Sequence, residues 1–383
     1  MPEKKRILYA FTGGRRARLR DIEAGAERPT EFLYGYTQLS RSRYDVDLVE
    51  AEPGAGRGTA VDSALNHLAA RLIGIGINTP AYIAHLPRLA TCDGVVATPD
   101  SCALAFARLK ATRRAPNVPL IYIAMGLAAG LARVTRRRPF LARGLRSFYA
   151  PLLAQCSAIV ALGRGEYEFL RRQFPACAPR VHFVPFGVDT RFWRPDADTA
   201  RDGTFLFVGN DPNREFDLVA ALVKQRPDRR FRIVSSNGTL RRLAAPNADT
   251  RAGDWKDQPL SDEQLRDLYR RSLAVILPLR ESLQPSGQSV TLQAIACGTP
   301  VLITRTAGFW EPEAWRHGEH CYFVDGHDVA AWSKALDEVA ADGALRARLA
   351  SQGAALVADR YPVEGFAARL AALVDDVLAV DRG

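Results

Sequence analysis

The sequence predicts an α/β protein of two domains, and three observations carry that expectation. Residues 273–304, LAVILPLRESLQPSGQSVTLQAIACGTPVLIT, read as strand, loop, helix, strand. Apolar strands followed by glycine turns open both halves of the chain, at 6–12 and at 204–208. The length of 383 residues suits two domains of ordinary size.

In the first half, residues 6–12, RILYAFT, form a strand, and Gly13 and Gly14 follow it. A glycine pair there fits either a tight turn or close approach of backbone to a ligand. Residues 15–30, RRARLRDIEAGAERPT, are polar throughout and are expected as a mobile loop. Residues 31–39 read as a helix, and 44–49, YDVDLV, alternate as a strand does. PGAGRG at 53–58 reads as a surface loop, and 94–97 and 120–124 as short strands. Residues 136–155 bring Leu141, Leu145, Phe148 and Leu152 to helical spacing with bases opposite. Such a helix suits a membrane surface or a packed core. Pro139 and Pro151 weaken the single long helix, and core packing is favoured. A strand at 159–162 and a helix at 165–174 complete this half.

The second half opens with the strand 204–208 and the turn Gly209-Asn210. Residues 231–235 are a strand. The helix SDEQLRDLYRRS (261–272) has an acidic first turn and a basic last turn, which match its dipole. Residues 273–277 end at Pro278 as a buried strand, and the polar loop 279–289 follows. Ser286 or Ser289 is expected to cap the next helix, and Gly298 with Pro300 stops it. Open parallel sheets hold ligands beyond the carboxyl ends of their strands, where this helix begins. Its free N–H groups favour an anion such as phosphate, although an unliganded βαβ unit has the same pattern. Residues 360–378 read as a final helix.

Composition describes a soluble globular protein, 47% apolar and 25% charged. No apolar run approaches the roughly 20 residues that span a bilayer. MPEKKRILYAF enters a strand without a signal-peptide core, and the six cysteines show no metal-ligand spacing. A cytoplasmic location is expected, with peripheral attachment to the inner face of the membrane left open by the charge. Residues 1–190 hold 27 Lys+Arg against 15 Asp+Glu (+12), while the rest holds 25 against 27 (−2). Residues 101–165 contain eleven bases and no acid. Such a half suits an anionic or lipid-linked acceptor at a membrane surface, or a merely solvated face. Nucleic-acid binding would rest on charge alone and is set aside.

Several pieces in order resemble a known family. HFVPFGVDTRFWRP (182–195) is similar to an interdomain hinge. FLFVGNDPNREFD (205–217) is similar to a first strand with its phosphate loop. QAIACGTPV (293–301), FVDGHDVAAWSKALDEV (323–339) and RYPVEGF (360–366) complete the set. Together they resemble the retaining glycosyltransferases of family 4 (glycosyltransferase group 1), from about residue 159 onward. The resemblance implies the GT-B fold, with two Rossmann-like domains facing a central cleft. Residues 1–188 would form the acceptor-binding domain, with a C-terminal helix (361–383) crossing back to it. Residues 189–360 would form the nucleotide-sugar domain.

The function so implied is transfer of a hexosyl group, with retention, from an NDP-sugar to a glycan, lipid-linked or small-molecule acceptor. Polysaccharide or glycoconjugate biosynthesis is the setting, UDP- and GDP-sugars are both open, and no metal or cofactor is expected. The implied donor-binding residues are Gly13, Gly14, Gly209, Asn210, Arg214, Ser235, Trp255, Ser286, Gly287, Gln288, Ser289 and Gln293. Arg214 would face the diphosphate or simply solvent, and Trp255 would stack on the base or pack locally.

Three positions depart from the family. Its two motif glutamates fall at Pro285 and Gln293, and its sugar-contacting His falls at Met125. Gln293 is expected to pair with a ribose hydroxyl, so Gln293→Glu should keep or tighten binding. Glu281 is the nearest carboxylate that could reach in as a catalytic group, and His67 and His85 are structural in expectation. A silent GT-B protein that binds a nucleotide-sugar or serves as a partner subunit is the alternative reading. A nucleotide-sugar epimerase of this fold fits the hinge and helix motifs poorly.

Overall fold

The computed structural model describes residues 4–40, 44–51, 58–253 and 260–380. Two six-stranded sheets organise them, and every strand pairing within each sheet is parallel. The first holds β1 (Lys5–Phe11), β2 (Tyr44–Glu50), β3 (Gly94–Ala97), β4 (Leu120–Ala124), β5 (Ala158–Ala161) and β6 (Val181–Phe183), in the order β2-β1-β3-β4-β5-β6. The second holds β7 (Thr204–Val208), β8 (Arg230–Val234), β9 (Ala248–Arg251), β10 (Ala274–Leu277), β11 (Val301–Thr304) and β12 (Tyr322–Val324), in the order β12-β11-β10-β7-β8-β9. β3, β4, β5, β7, β10 and β11 are buried along their whole length. Helices cover both faces of such sheets, which explains why their strands read as short unbroken apolar runs.

Each order reverses direction once. The reversal lies between β1 and β3 in the first sheet and between β7 and β10 in the second. Crevices open at such points, outside the carboxyl ends of the strands. The turn at Gly209 follows β7, and the loop to Gly287 follows β10.

The chain passes between the sheets twice, at one place. Val188 N donates to Tyr361 O at 2.8 Å, and Val363 N donates to Val188 O at 2.8 Å. Gly187 is required there, because a Cβ would stand 2.5 Å from Pro362 O. After the return, helix Val363–Val380 packs Leu370, Val374 and Leu378 into the same core as Ile7 and Tyr9 of β1. Tyr44 of β2 donates to Asp375 on that helix. Among the described residues, no helix is long and apolar enough to cross a membrane.

Three local expectations are corrected, and the one for 136–155 is met. Residues 15–30 are not a mobile loop: helix Arg15–Glu23 forms behind Gly14, at φ 100°. Its buried face is arginine, with Arg15 and Arg18 6% and 2% exposed, so an apolar pattern was absent. Residues 31–39 are not one helix. A turn Glu31–Leu33 and a helix Tyr36–Ser40 are separated by positive φ at Tyr34 and Gly35. Tyr34 is buried there, and Gly35 lies against Ala367 of the final helix. The stretch 136–155 breaks at Pro139 into helix Leu127–Arg137, the turn Pro139–Leu141 and helix Ala142–Leu153. Leu145 and Leu152 are buried and Leu141 and Phe148 pack on the same cluster, as core packing requires. Neither Ser286 nor Ser289 caps helix Gln288–Ala296, whose N-cap is Gly287 at φ 82°. Residues 53–57 of the PGAGRG loop, and Trp255, lie outside the described residues.

Candidate functional site

Between the two sheets lies a cleft of about 500 Å³. The first sheet's side contributes Arg18, Phe32, Tyr34, Met125, Leu162 and Phe186. The second side contributes the Gly209 turn, Arg214, Tyr269, residues 284–290 and Gln293. Apolar walls with a few convergent polar groups are the usual make-up of a small-molecule site.

Arg214 is the polar centre of the second wall. It is 3% exposed, and among the described residues its Nε and Nη1 have no hydrogen-bond partner. Burial pushes its guanidinium below the ordinary arginine value, while Asp211 and Tyr269 pull the other way. A Cβ at Gly209 would stand 2.7 Å from Nε, and one at Gly287 2.9 Å from Nη1. Two bare glycines therefore make room for this cation beside the start of helix Gln288–Ala296. A buried, unpaired guanidinium costs several kcal/mol unless an anion joins it. The helix end carries no side-chain cap and adds partial positive charge at the same spot. The arrangement can accept an anion.

The neighbouring side chains hold the loops in place. Asn210 Oδ1 accepts from Ser236 N at 2.6 Å, and its amide donates to Gly253 O. Ser235 Oγ lies 2.8 Å from Gly209 O and does not line the cleft. Asn213 Nδ2 donates to Gln284 Oε1 at 3.0 Å and to Ser286 Oγ at 2.8 Å, joining the two loops around Arg214. Gln288 reaches across the cleft and donates to Leu162 O at 3.3 Å. Arg18 forms a two-pronged bond to Asp262, at 2.8 and 3.2 Å, and closes one rim. On the first sheet's side, Asp100 accepts from Met125 N and Leu127 N, each at 3.2 Å, and so fixes the loop that presents Met125. Burial raises the Asp100 and Glu166 carboxyls above the usual range.

Gln293 is in the wall, 3% exposed, and its amide is already engaged. Nε2 donates to Glu31 Oε1 at 2.8 Å, and Oε1 accepts from Tyr269 OH at 3.3 Å. Glu31 is fully buried, and burial pushes its carboxyl up to about 7 despite hydrogen bonds from Gln293 and Trp193.

Of the sequence-predicted residues, Gly209, Asn210, Arg214, Ser286, Gly287, Gln288, Ser289 and Gln293 line one cleft. Gly13 and Gly14 do not line it; Gly14 starts helix Arg15–Glu23 instead. Glu281 is exposed, does not line the cleft, and accepts from Ala307 N at 3.0 Å. His85 donates to Glu50 O at 2.9 Å and His67 to Ser63 O at 2.7 Å, so neither replaces a histidine at Met125. Sequence reasoning missed Glu31, Arg18, Asn213 and Tyr269. Trp193 lay within the hinge-like segment, but Glu31 had no local signal, its partner being 262 residues away. Among the described residues, no group of three His, Cys, Asp or Glu is placed to hold a metal ion.

Residues 202–342 match the family described as Glycosyl transferases group 1, so the second half of this chain carries that domain. The chain is 32% identical over 229 residues to D-inositol 3-phosphate glycosyltransferase of Acidothermus cellulolyticus, covering 53% of this chain and 49% of that protein. With the enzyme of the same name from Rhodococcus opacus it shares 29% over 263 residues, 62% of this chain and 57% of that one. The chain thus spans about half the length of the curated relatives it matches. Among solved structures, sucrose-phosphate synthase of Thermosynechococcus elongatus aligns over 98% of this chain and all of its own, with a TM-score of 0.72 at 16% identity. Anabaena HepE in complex with UDP-glucose aligns over 97% and 99%, with a TM-score of 0.66 at 15% identity. The fold is GT-B.

Proposed function

We propose that this chain, which carries a glycosyl transferases group 1 domain, moves a sugar from a nucleoside-diphosphate sugar to an acceptor bound on the first domain's side of the cleft. One observation carries the reading: Arg214 lies buried between Gly209 and Gly287, without a partner for Nε or Nη1 among the described residues, beside an uncapped helix end. A diphosphate supplies the anion that this site lacks. The related HepE fold binds UDP-glucose, which supports a uridine donor over other bases.

In this reading the diphosphate departs with its charge held by Arg214 and by backbone N–H groups of helix Gln288–Ala296. Stabilising that developing charge in a dry site is the protein's main chemical contribution. The first domain's wall of Phe32, Tyr34, Met125 and Phe186 excludes water and orients the acceptor. Retention of configuration is carried over from the resemblance to family 4. Arg214→Ala is expected to weaken UDP binding by about 1–3 kcal/mol in calorimetry; unchanged affinity would remove the basis of the proposal.

A silent binder has one observation in its favour. The carboxylates lining the cleft, Asp211 and Asp262, are already engaged, Asp211 with Asn213 N and Asp262 with Arg18. Donor binding without transfer or hydrolysis would select it.

The acceptor is proposed to be anionic or lipid-linked, with the protein docked on an anionic membrane face. Phe140 is 80% exposed and stands among exposed Arg136, Arg137, Arg138, Arg143 and Arg146. This patch ends helix Leu127–Arg137, roughly 16 Å along the axis from Met125. It therefore serves as a docking surface and not as the acceptor pocket.

A further inference from the structure

Glu31 belongs to the first domain, yet its carboxylate is spent on the connection and on the second domain. Oε1 accepts from Trp193 Nε1 at 2.7 Å and from Gln293 Nε2 at 2.8 Å, and Oε2 accepts from Asp189 N at 3.4 Å. Gln293 lines the cleft and bonds residues of both domains, and Trp193 of the connection lines it too and packs on Tyr269.

An amide side chain is ambivalent, because turning it over exchanges donor and acceptor. Here its neighbours remove the ambiguity. Glu31 Oε1 already accepts from Trp193, so it calls for a second donor, and Tyr269 OH supplies the hydrogen for the amide oxygen. One N–H of Gln293 has no protein partner among the described residues. We infer that Glu31 is a positioning residue for the donor subsite: by locking the Gln293 side chain across the domain boundary it holds one fixed hydrogen-bonding group against a hydroxyl of the bound nucleotide, which can pair with either a donor or an acceptor. This rests on the nucleotide-sugar reading above.

The cluster also couples the subsite to domain closure, since moving the domains apart breaks the Glu31–Gln293 bond and frees the amide to turn. The charged and titratable groups facing Glu31 are Asp189 from the connection, Tyr34 from its own domain and Tyr269 from the second. None supplies a positive charge. The pair therefore depends on Gln293 as a neutral donor, and the expectation that Gln293→Glu is harmless is reversed. Two carboxylates at 2.8 Å repel unless they share a proton.

The test uses the full chain as wild type, Gln293→Glu, Glu31→Gln and the exchanged double variant Glu31→Gln/Gln293→Glu. UDP affinity by calorimetry and thermal unfolding are measured at pH 6 and pH 8.5. Gln293→Glu should bind UDP at least about tenfold more weakly at pH 8.5 and recover most of the loss at pH 6. The double variant rebuilds the pair with roles reversed and should bind within about threefold of wild type at both pH values. A purely structural role would lower the unfolding temperature without that pH-dependent rescue of affinity. Gln293→Glu binding as tightly as wild type at pH 8.5 would overturn the inference, as would a folded double variant that stays weak. If wild type itself binds neither UDP nor GDP, the proposed function fails. The inference then falls with it, whereas the two outcomes above overturn the inference and leave the proposed function standing.

Discussion

Arg214 occupies the space that a side chain at Gly287 would need, its Nη1 lying 2.9 Å from where a Cβ would stand. Gly287 also sits at φ 82°, a region that costs an L-residue roughly 1–2 kcal/mol. Gly287→Ala should therefore lower stability by about 1–3 kcal/mol in urea unfolding and displace the guanidinium. Nucleotide affinity should fall about tenfold or more beyond any loss of folded protein. Full affinity in the folded variant would detach Arg214 from the anion.

The Glu31 carboxyl stands at about 7 in the folded chain against 4.5 unfolded, chiefly because it is buried. The native state thus keeps a proton that the unfolded chain has released between these values. This contribution to stability is complete below about pH 4.5 and is lost as pH rises through 7, to an extent of roughly 3 kcal/mol. Asp100 and Glu166 are raised too and add in the same direction. The difference between wild type and Glu31→Gln isolates the one group, because the others cancel. That difference should change by about 3 kcal/mol between pH 4.5 and 7.5 in denaturant titrations; a constant difference would contradict it.

Arg136, Arg137 and Arg138 flank Phe140 without an acid between residues 101 and 165. Full-length protein should co-sediment with vesicles containing anionic lipid, and release should follow salt, since such attraction is screened within about 8 Å at physiological strength. Arg136/Arg137/Arg138→Ala should abolish most binding, and Phe140→Ser should weaken it further. Binding that is indifferent to salt and to the arginines would leave the charge as solvation.

Where one segment carried its own signal, the sequence was legible. β7 was read residue for residue, as Thr204–Val208 is short, apolar and closed by a glycine. Arg214 was found from its place after that turn, although its burial was not expected. What escaped depended on partners distant in sequence. Helix Arg15–Glu23 hid because the residues it buries are arginines bonded to Thr12 O, Pro29 O and Asp262. The bonds that fix Gln293 were hidden for the same reason: a glutamine on a helix shows neither Glu31 nor Tyr269. Glu281 looked plausible by proximity in sequence, but its loop turns it toward Ala307.

Gly187 faces Pro362 at the double crossing, with a would-be Cβ 2.5 Å from Pro362 O and 3.0 Å from Val363 Cα. Both contacts are backbone, so no side chain can yield. Gly187→Ala should cost about 1–3 kcal/mol in unfolding. The larger effect is on the relation of the domains, because the two passes must separate. Small-angle scattering should report a more extended molecule; an unchanged profile with unchanged stability would show the crossing to be pliable.

Helix Val363–Val380 completes the core around β1 and β2, yet every residue of the second sheet is translated before it. On the ribosome, the earlier of these two units to emerge is therefore the later to be finished. Domains otherwise fold largely in order of synthesis, at about 5–20 residues per second. Here the apolar surface around Ile7 and Tyr9 waits through the synthesis of some 350 residues before Leu370, Val374 and Leu378 arrive to cover it. A nascent chain halted before residue 363 should carry that surface uncovered and engage chaperones.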